Sequence, residues 1–300
     1  MNNIPDQLKK NVINAHGDKG QQWLDSLPQQ IAKYAKQWEL AALKPVDNMS
    51  YNYVLKATQN GHPVVMKLGL PQAEFLREME CLAYYNGVGA PTLIANDTAN
   101  GAMLMECMIP GTTLKRYFPQ EEEASLAIAA AVIQQLQSVK IPKDTLFPNI
   151  EQWHASLNAT KPTENIPEEL LTTAKELSKH LIATQTTTTL LHADLHHDNI
   201  LLGEDEKWLA IDPKGIIGEP AYELGAFIRN PLMELRQQTN IKGILSRRAD
   251  AFAQYLDLNR DRIVQWSFVQ AVLSACWSME ENNMGNAESA INSAKLLSEL

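Results

Sequence analysis

Apolar and polar positions along the chain change their spacing twice, which predicts three stretches of different structure. From about residue 6 to residue 44, apolar residues such as Ile31 and Tyr34 recur at helical spacing. The Asp25-Ser26 pair just before Pro28 has the composition of a helix start, so we expect a helix to begin there. This first stretch therefore predicts a helical N-terminal extension.

Residues 45–107 show the alternation that is typical of strands, interrupted by one helix. Asn60-Gly61 is a two-residue hairpin signal, and Asn100-Gly101 is a second turn between strand-like runs. A helix is predicted from about Gln72 to Tyr85. The predicted strands are Tyr51–Ala57, Pro63–Leu68, Pro91–Ala95 and Ala102–Met108.

Pro110-Gly111 ends the strand-rich part of the pattern, and beyond this point the pattern is mostly helical. The predicted helices are Glu121–Val139 and segments near 167–183, 219–230, 244–257, 261–280 and 285–298. Short strands are expected only around Leu190-Leu191, Ile200–Leu202 and Trp208–Ile211. The pattern predicts an α+β protein with a small β-rich N-terminal lobe, residues 1–107, and a larger α-helical C-terminal lobe, residues 108–300.

Composition narrows the class of protein further. The chain has 300 residues, of which 45% are hydrophobic and 20% are charged, as in an ordinary globular protein. A net charge of −9 argues against a nucleic-acid partner, because binding phosphate backbones needs a basic face. The longest apolar run is too short for a bilayer core of about 30 Å. With no signal-peptide pattern and three isolated cysteines, we expect a cytoplasmic protein of unspecified oligomeric state.

Candidate catalytic and metal-binding side chains are concentrated in the segment 192–199, His-Ala-Asp-Leu-His-His-Asp-Asn. An apolar run that ends at Asp212 follows this segment. The predicted strands place Asp194 and Asn199 on one short loop and Asp212 at the end of the next strand. Phosphoryl transfer from a metal-bound nucleotide needs a carboxylate for the acceptor hydroxyl, and an amide and a carboxylate for Mg²⁺. Asp194 is therefore the candidate general base, and Asn199 and Asp212 are the candidate metal ligands.

The three histidines of this segment allow a second interpretation. Together with its two aspartates they are similar to the clusters that hold Zn²⁺ in metallohydrolases. A hydrolase would leave Asn199, Asp212 and the β-rich lobe without a role, so phosphoryl transfer is favoured. His196 is then a candidate for the substrate side of the site.

The β-rich lobe supplies candidate nucleotide contacts. Lys67 lies in a strand that reads as buried, and a buried ammonium needs a partner. Glu78 on the following helix is the best candidate for that partner, with Glu74 as the alternative. The alternative is that Lys67 lies on an edge strand and extends its ammonium group to solvent.

Two other segments of this lobe bear on the nucleotide. A glycine-rich turn that would cover phosphates is absent, and the segment 46–53 offers Ser50 as a hydrogen-bond donor instead. The run Met103–Met108 reads as a strand and crossover, where backbone groups near Glu106 and Met108 would contact adenine. An apolar strand core explains its methionines equally well.

Taken in order, five segments resemble the aminoglycoside phosphotransferase superfamily, and in particular the aminoglycoside/hydroxyurea antibiotic resistance kinases. The segments are Val64–Lys67, Leu104–Glu106, Pro110-Gly111, His192-x-Asp194-x₄-Asn199 and Ile211–Gly215. The resemblance implies a bilobal protein-kinase-like fold, ATP and Mg²⁺, and transfer of the γ-phosphate to a hydroxyl of a small molecule. By matched position, Asp194 would be the catalytic base, Asn199 and Asp212 the metal ligands, and Lys67 the phosphate-binding lysine.

The acceptor is the least defined part of this expectation. A cationic aminoglycoside such as streptomycin would require carboxylates, and four glutamates in C-terminal segments could supply them: Glu219, Glu223, Glu280 and Glu281. These glutamates could equally form solvated helix faces. A metabolic kinase of an amino alcohol or sugar, and a nucleotide-binding pseudokinase, are the alternative functions.

Overall fold

The protein is described by a computed structural model that covers residues 4–47, 49–141 and 145–300. Its contacts divide the chain into two units, Met1–Ile109 and Pro110–Leu300. The described part of the first unit contains α1 (Asp6–Gln37), β1 (Leu40–Pro45), β2 (Tyr53–Gln59), β3 (His62–Leu68), α2 (Ala73–Tyr85), β4 (Leu93–Asp97) and β5 (Ala102–Glu106). The expected α+β class, with a β-rich N-terminal part and a larger helical part, is confirmed.

A five-stranded antiparallel sheet with the order β1-β2-β3-β5-β4 forms the N-terminal unit. The hairpin between β2 and β3 turns at Asn60 and Gly61, whose φ values of 50° and 82° suit the predicted tight turn. Alternate residues of β2 and β3 are buried against α1, among them Leu55 and Met66. The sheet is therefore amphipathic, and burial of one face determines which side chains of β3 point inward.

Helix α1 begins at Asp6, where the helical stretch was expected to begin, but it continues through Pro28, so the helix start predicted at Asp25-Ser26 was wrong. A proline inside a helix usually costs about 3 kcal/mol. Leu24 and Leu27 are buried in the sheet-facing core, and their burial offsets this cost.

Strand β1 was missed, because its sequence Leu-Ala-Ala-Leu-Lys-Pro continues the helical pattern. The backbone instead leaves the helix at Glu39, with φ of 53°, and a second positive φ at Ala42 accompanies a register shift in the β1–β2 pairing. Such an irregular edge strand has no clean alternation for a sequence pattern to reveal.

Two glycines allow the ends of β3 and β5 to approach each other. Gly69 donates its N–H to the Gly101 carbonyl at 2.9 Å. Gly101 has φ of +65°, and a Cβ there would lie only 2.0 Å from the Gly69 carbonyl oxygen. A Cβ on Gly69 would lie 2.3 Å from Oδ1 of Asn52. A side chain on Gly101 would therefore separate the two strand ends, and one on Gly69 would displace the Asn52 side chain.

The C-terminal unit is built around one long buried helix, α10, which packs against α6, α7, α9 and α11. Two small antiparallel pairs, β6 with β9 and β7 with β8, carry the loop segments described below. Its helices are α3 (Glu122–Gln137), α4 (Ile150–Trp153), α5 (Ala155–Ala159), α6 (Glu168–Ala183), α7 (Leu224–Ile228), α8 (Leu232–Leu235), α9 (Ile241–Leu256), α10 (Arg260–Glu280) and α11 (Met284–Leu297). Its strands are β6 (Thr189–Leu191), β7 (Ile200–Leu202), β8 (Trp208–Ala210) and β9 (Ile216–Gly218).

Two expectations for this unit were wrong in detail. The helix expected over 219–230 is a 3₁₀ turn, Pro220–Glu223, followed by the short α7. Strand β9 lies outside the three places where strands were expected in this unit, and it was not predicted. None of the described helices combines the length and the apolar character that crossing a membrane requires.

Candidate active site

In the N-terminal unit, Lys67 forms a buried ion pair with Glu78. Lys67 lies on β3 opposite Met103 of β5, and its Nζ contacts the two carboxylate oxygens of Glu78 at 2.7 and 2.9 Å. The two residues are only 5% and 6% exposed. Glu74, the alternative partner, lies on the exposed side of the first turn of α2. The ammonium is thus held in one place by an ion pair with the Glu78 carboxylate.

The other candidate nucleotide contacts of this unit lie at its surface and at the end of its sheet. Ser50 is exposed, and Asn48 of the same segment lies outside the described residues. Glu106 ends β5 with an exposed side chain that accepts the Thr92 N–H at 3.1 Å. Met108 is buried. These positions do not test contact with a nucleotide, so adenine binding by backbone groups near Glu106 and Met108 stays a prediction.

In the C-terminal unit, hydrogen bonds join Asp194, Asn199 and the segment before Asp212 into one structure. Asn199 donates from Nδ2 to the Asp194 carbonyl at 2.9 Å, and the Asn199 carbonyl accepts the Ile211 N–H at 2.9 Å. His192 donates from Nε2 to the Ile211 carbonyl at 2.7 Å, while its Nδ1 accepts the Asp194 N–H at 3.2 Å. The three predicted residues therefore come from two loops that share a hydrogen-bond network.

His192 can link these loops because it is neutral. Burial lowers the pKa of His192 to about 4, although the charges of Asp194 and Asp212 oppose this shift. At neutral pH the ring has one donor and one acceptor nitrogen, which is what the two contacts require. A charged imidazolium would have no acceptor for the Asp194 N–H.

Glu223 holds the other side of the same loop. Its carboxylate accepts the N–H groups of His192 and Ala193, both at 2.8 Å, and the side chain is almost fully buried. Burial raises the pKa of Glu223 to about 7, and the two N–H donors limit the rise. Ala193 has a positive φ of 68°, which is uncommon for a residue with a side chain. The carboxylate thus stabilises a loop conformation that would otherwise be unfavourable.

The histidines of the loop differ in environment. His196 places Nε2 4.0 Å from Oδ1 of Asp194, while Nδ1 accepts the Asp198 N–H at 3.3 Å. His197 is fully buried and stacks on Phe227, with ring centroids 3.9 Å apart, and burial lowers its pKa well below the ordinary value. Across the described ranges, no three His, Cys, Asp or Glu side chains form a group that could hold a metal. The zinc interpretation therefore gains no support from the geometry.

The residues present fit a magnesium ion better. Asn199 uses its amide nitrogen for the Asp194 carbonyl, so Oδ1 is the atom that this side chain offers to a cation. Asp212 follows β8 with an exposed carboxylate and a positive φ of 61°. A neutral and a charged oxygen are the hard ligands that Mg²⁺ prefers, with water and phosphate completing its shell.

Two of the four candidate acceptor carboxylates are engaged inside the protein. Glu219 is buried and accepts two hydrogen bonds from Arg262, at 2.5 and 2.6 Å, and one from Trp266 at 2.8 Å. Glu223 holds the catalytic loop, as described above. Protein groups engage both carboxylates, and contact of either glutamate with an acceptor stays a prediction.

Glu280 and Glu281 are placed differently, since both are exposed at the C-terminal end of α10. Ser156 donates a hydrogen bond to Glu280. Carboxylates at the negative end of a helix are unfavourable, so a cation bound there would relieve their repulsion.

Sequence reasoning missed one charged residue beside the loop, Arg229. Burial lowers the pKa of Arg229, and the negative charge of Asp194 opposes that shift. Its Nη1 donates to Ser274 at 3.3 Å. The only sequence signal was an arginine directly after the apolar run Leu224–Ile228, which does not distinguish a surface cap from a buried charge.

The fold places the protein in a known structural class. An aminoglycoside phosphotransferase, solved as a thermostable mutant with ADP and hygromycin B, has a TM-score of 0.68 and 12% identity, covering 89% of this chain and 96% of its own. A choline kinase from Streptococcus pneumoniae has a TM-score of 0.65 and 14% identity, covering 92% and 100%. The fold is therefore protein-kinase-like.

Sequence comparison identifies the family within that class. A streptomycin 6-kinase of Streptomyces glaucescens is 26% identical over 98% of this chain and 96% of its own length. A hydroxyurea phosphotransferase of Kitasatospora aureofaciens is also 26% identical, over 98% and 85%. The family model of the aminoglycoside/hydroxyurea antibiotic resistance kinases matches residues 37–282, and the chain belongs to this family. It is thus a phosphotransferase with an alcohol group as acceptor.

Proposed function

We propose that the protein transfers the γ-phosphate of Mg²⁺-bound ATP to a hydroxyl of an aminoglycoside, with the 6-hydroxyl of a streptomycin-type molecule as the first candidate. The observation that carries this proposal is the hydrogen-bond network that joins Asp194, Asn199 and the segment of Asp212. Its members have the residue types and the order that phosphoryl transfer needs. Relatives named for streptomycin and hydroxyurea support the same reaction class.

Asp194 would act as the general base. Its carboxylate is 39% exposed, so an acceptor hydroxyl can approach it from solvent. The backbone on either side of Asp194 is held by Glu223 and His192, which keeps the carboxylate in one orientation. A positioned base of this kind accelerates proton transfer by roughly 10²–10⁴-fold.

Lys67 would bind the α- and β-phosphates, with Glu78 fixing the direction of its ammonium group. Asn199 and Asp212 would hold Mg²⁺, which supplies positive charge to the phosphates when it is bound. Ser50, Glu106 and Met108 complete the proposed nucleotide contacts.

For the acceptor, we propose Glu280 and Glu281 as carboxylates for a cationic group, and His196 as a contact beside Asp194. Carboxylates form strong, directional hydrogen bonds with guanidinium groups, which streptomycin carries. Glu219 and Glu223 are not part of this proposal, since protein groups already occupy their oxygens.

A phosphorylation screen tests the proposal. The full chain is incubated with Mg·ATP and, in turn, streptomycin, other aminoglycosides, hydroxyurea and simple amino alcohols, and phosphorylated products are detected by mass spectrometry. Phosphorylated streptomycin, absent with Asp194→Asn, supports the proposal. Turnover of an amino alcohol alone would indicate a metabolic kinase. Nucleotide binding without transfer to any acceptor would indicate a pseudokinase.

A further inference from the structure

The segment that joins β1 to β2 contains no glycine, and the structure describes its residues 46, 47 and 49–52. We call it the β1–β2 loop. It begins where the Val46 N–H donates to the Val54 carbonyl at 3.1 Å. Met49 is 5% exposed and belongs to the same buried cluster as Leu8 and Val12 of α1. The loop is therefore anchored to the N-terminal helix through its apolar side chain.

A hydrogen bond adds a second, polar contact between helix and loop. Asn11 of α1 donates from Nδ2 to the Ser50 carbonyl at 3.0 Å. Gln7, one turn earlier, donates from Nε2 to Asn11 Oδ1 at 2.7 Å, which orients the Asn11 amide toward the loop. Because the bond reaches a backbone atom, it constrains the loop itself and not only a side chain.

The position of Asn11 is fixed by a change of direction in α1. Gly17 has φ of 55° and ψ of −133°, so the helix axis turns there. Beyond the turn, a Cβ on Gly20 would lie 2.6 Å from the Val12 carbonyl oxygen, so the two halves of α1 pack in close contact. The first half, which carries Asn11, is thus directed onto the β1–β2 loop.

We propose that Asn11 is a positioning residue for the nucleotide, because the first half of α1 holds the described residues of the β1–β2 loop in place. This inference rests on the proposed function, in which Ser50 and its neighbours contact the phosphates. A loop held in its binding conformation loses less entropy when phosphate binds, so affinity rises without any new contact.

The test compares Asn11→Ala with Asn14→Ala, a matched control on the same helix whose side chain is exposed. Isothermal titration with Mg·ADP and kinetics with Mg·ATP and streptomycin are measured on the full chain. We expect Asn11→Ala to raise the Kd for Mg·ADP and the KM for ATP about fivefold, which corresponds to one net hydrogen bond. In Asn11→Ala, the kcat and the KM for streptomycin should stay within twofold of the wild-type values. Asn14→Ala should change none of these quantities, and Asn11→Gln should bind Mg·ADP as the wild type does.

A second measurement makes the result independent of catalysis. Hydrogen exchange in the nucleotide-free protein should be faster at residues 49–52 in Asn11→Ala than in Asn14→Ala. Equal exchange, or equal Kd values for the two variants in a protein that binds Mg·ADP, would overturn the inference alone. A wild-type chain that binds no nucleotide would contradict the proposed function, and the exchange data would still decide whether Asn11 holds the loop.

Discussion

The two units hold their candidate catalytic groups in opposite ways. In the N-terminal unit, Lys67 is fixed by a direct side-chain ion pair with Glu78, and both side chains are buried. In the C-terminal unit, Glu223 and His192 bind the backbone around Asp194, and the Asp194 carboxylate is left accessible. A group that only attracts phosphate can be held by its own charge, whereas a base that must exchange a proton needs its charge unoccupied.

This difference predicts different consequences of mutation. Where the charge itself is held, removing it leaves an uncompensated partner in the protein interior and lowers stability. Where the backbone is held, removing the exposed carboxylate changes chemistry and spares the fold. Four substitutions test the contrast, in order of decreasing expected effect.

The largest effect is expected from Asp194→Asn. The kcat should fall about 10³-fold, because the general base is lost, while the midpoint of thermal unfolding changes little. Steady-state kinetics and calorimetry measure the two quantities. Asp198→Asn, an exposed aspartate of the same loop, is the control and should stay within threefold. Activity retained in Asp194→Asn would remove Asp194 from the mechanism.

The ion pair should respond in the opposite manner. Lys67→Met should lower the free energy of unfolding by about 3 kcal/mol, because it buries the Glu78 carboxylate without its ammonium. Urea denaturation should show recovery of most of this loss in the double variant Lys67→Met, Glu78→Leu. Lys56→Met, on the exposed side of the neighbouring strand β2, is the control.

A strictly additive double variant would show that the two charges do not interact. The double variant should recover stability, but productive ATP binding should remain lost and the KM for ATP should stay raised, because the ammonium group is still missing. Restoration of both would contradict the assignment of Lys67 to the phosphates.

Glu223→Gln tests how much the buried Glu223 carboxylate, which holds the backbone beside Asp194, lowers the free energy of unfolding. The raised pKa means that the folded state binds a proton more tightly than the unfolded state, whose pKa is 4.5. Wild-type stability should therefore decrease as the pH rises from about 4.5 through about 7, by at most about 3 kcal/mol. The variant has no titrating group at this position, so its stability should not decrease with pH in this way. Denaturation at several pH values should therefore show the stability advantage of the wild type becoming smaller as the pH rises, and finally vanishing or reversing.

In the same variant, kcat should fall about tenfold. The amide NH₂ group cannot accept the backbone N–H that a carboxylate oxygen accepts in the wild type, so two donors would face each other. Identical pH profiles of stability in both proteins would mean that Glu223 is ionised without cost. An unchanged kcat would mean that the loop does not depend on it.

The smallest effect is expected from Asp97→Asn, in the N-terminal unit but outside the candidate site. Burial raises the pKa of Asp97, but hydrogen bonds from Asn100, Tyr34 and Lys33 outweigh burial and lower it to about 2. This stabilisation is present above the unfolded pKa of 3.8 and is lost as the pH falls through about 2. The variant should lose about 1 kcal/mol at pH 7 and nothing at a pH well below 2, with unchanged kinetics.

The sequence predicted the parts of the site that depend on local order. The strand that carries Lys67 and the helix that carries Glu78 are both adjacent in sequence and strongly patterned. The order of Asp194, Asn199 and Asp212 follows from two short strands. Burial of Glu219 and Glu223 was not predictable, because their partners lie about 30 to 47 residues away and no period marks them.

The fold was predicted best where one face of a long element is buried. Strand β1 failed because positive φ values at Glu39 and Ala42 break its alternation. The role of Asn11 lies in a contact 39 residues distant, on a helix whose turn at Gly17 left no signal in the apolar pattern. Contacts between distant segments, and not local preference, decide these features.

The close approach of Gly69 and Gly101 has a consequence for how this protein can diversify. Under the proposed function, a change of acceptor can proceed through the exposed glutamates Glu280 and Glu281 at the end of α10. A side chain on Gly101 would press on the Gly69 carbonyl and separate β5 from the end of β3, two residues after Lys67. Gly101 would therefore stay unaltered through a change of acceptor, although it belongs to the N-terminal unit and the two glutamates belong to the C-terminal unit.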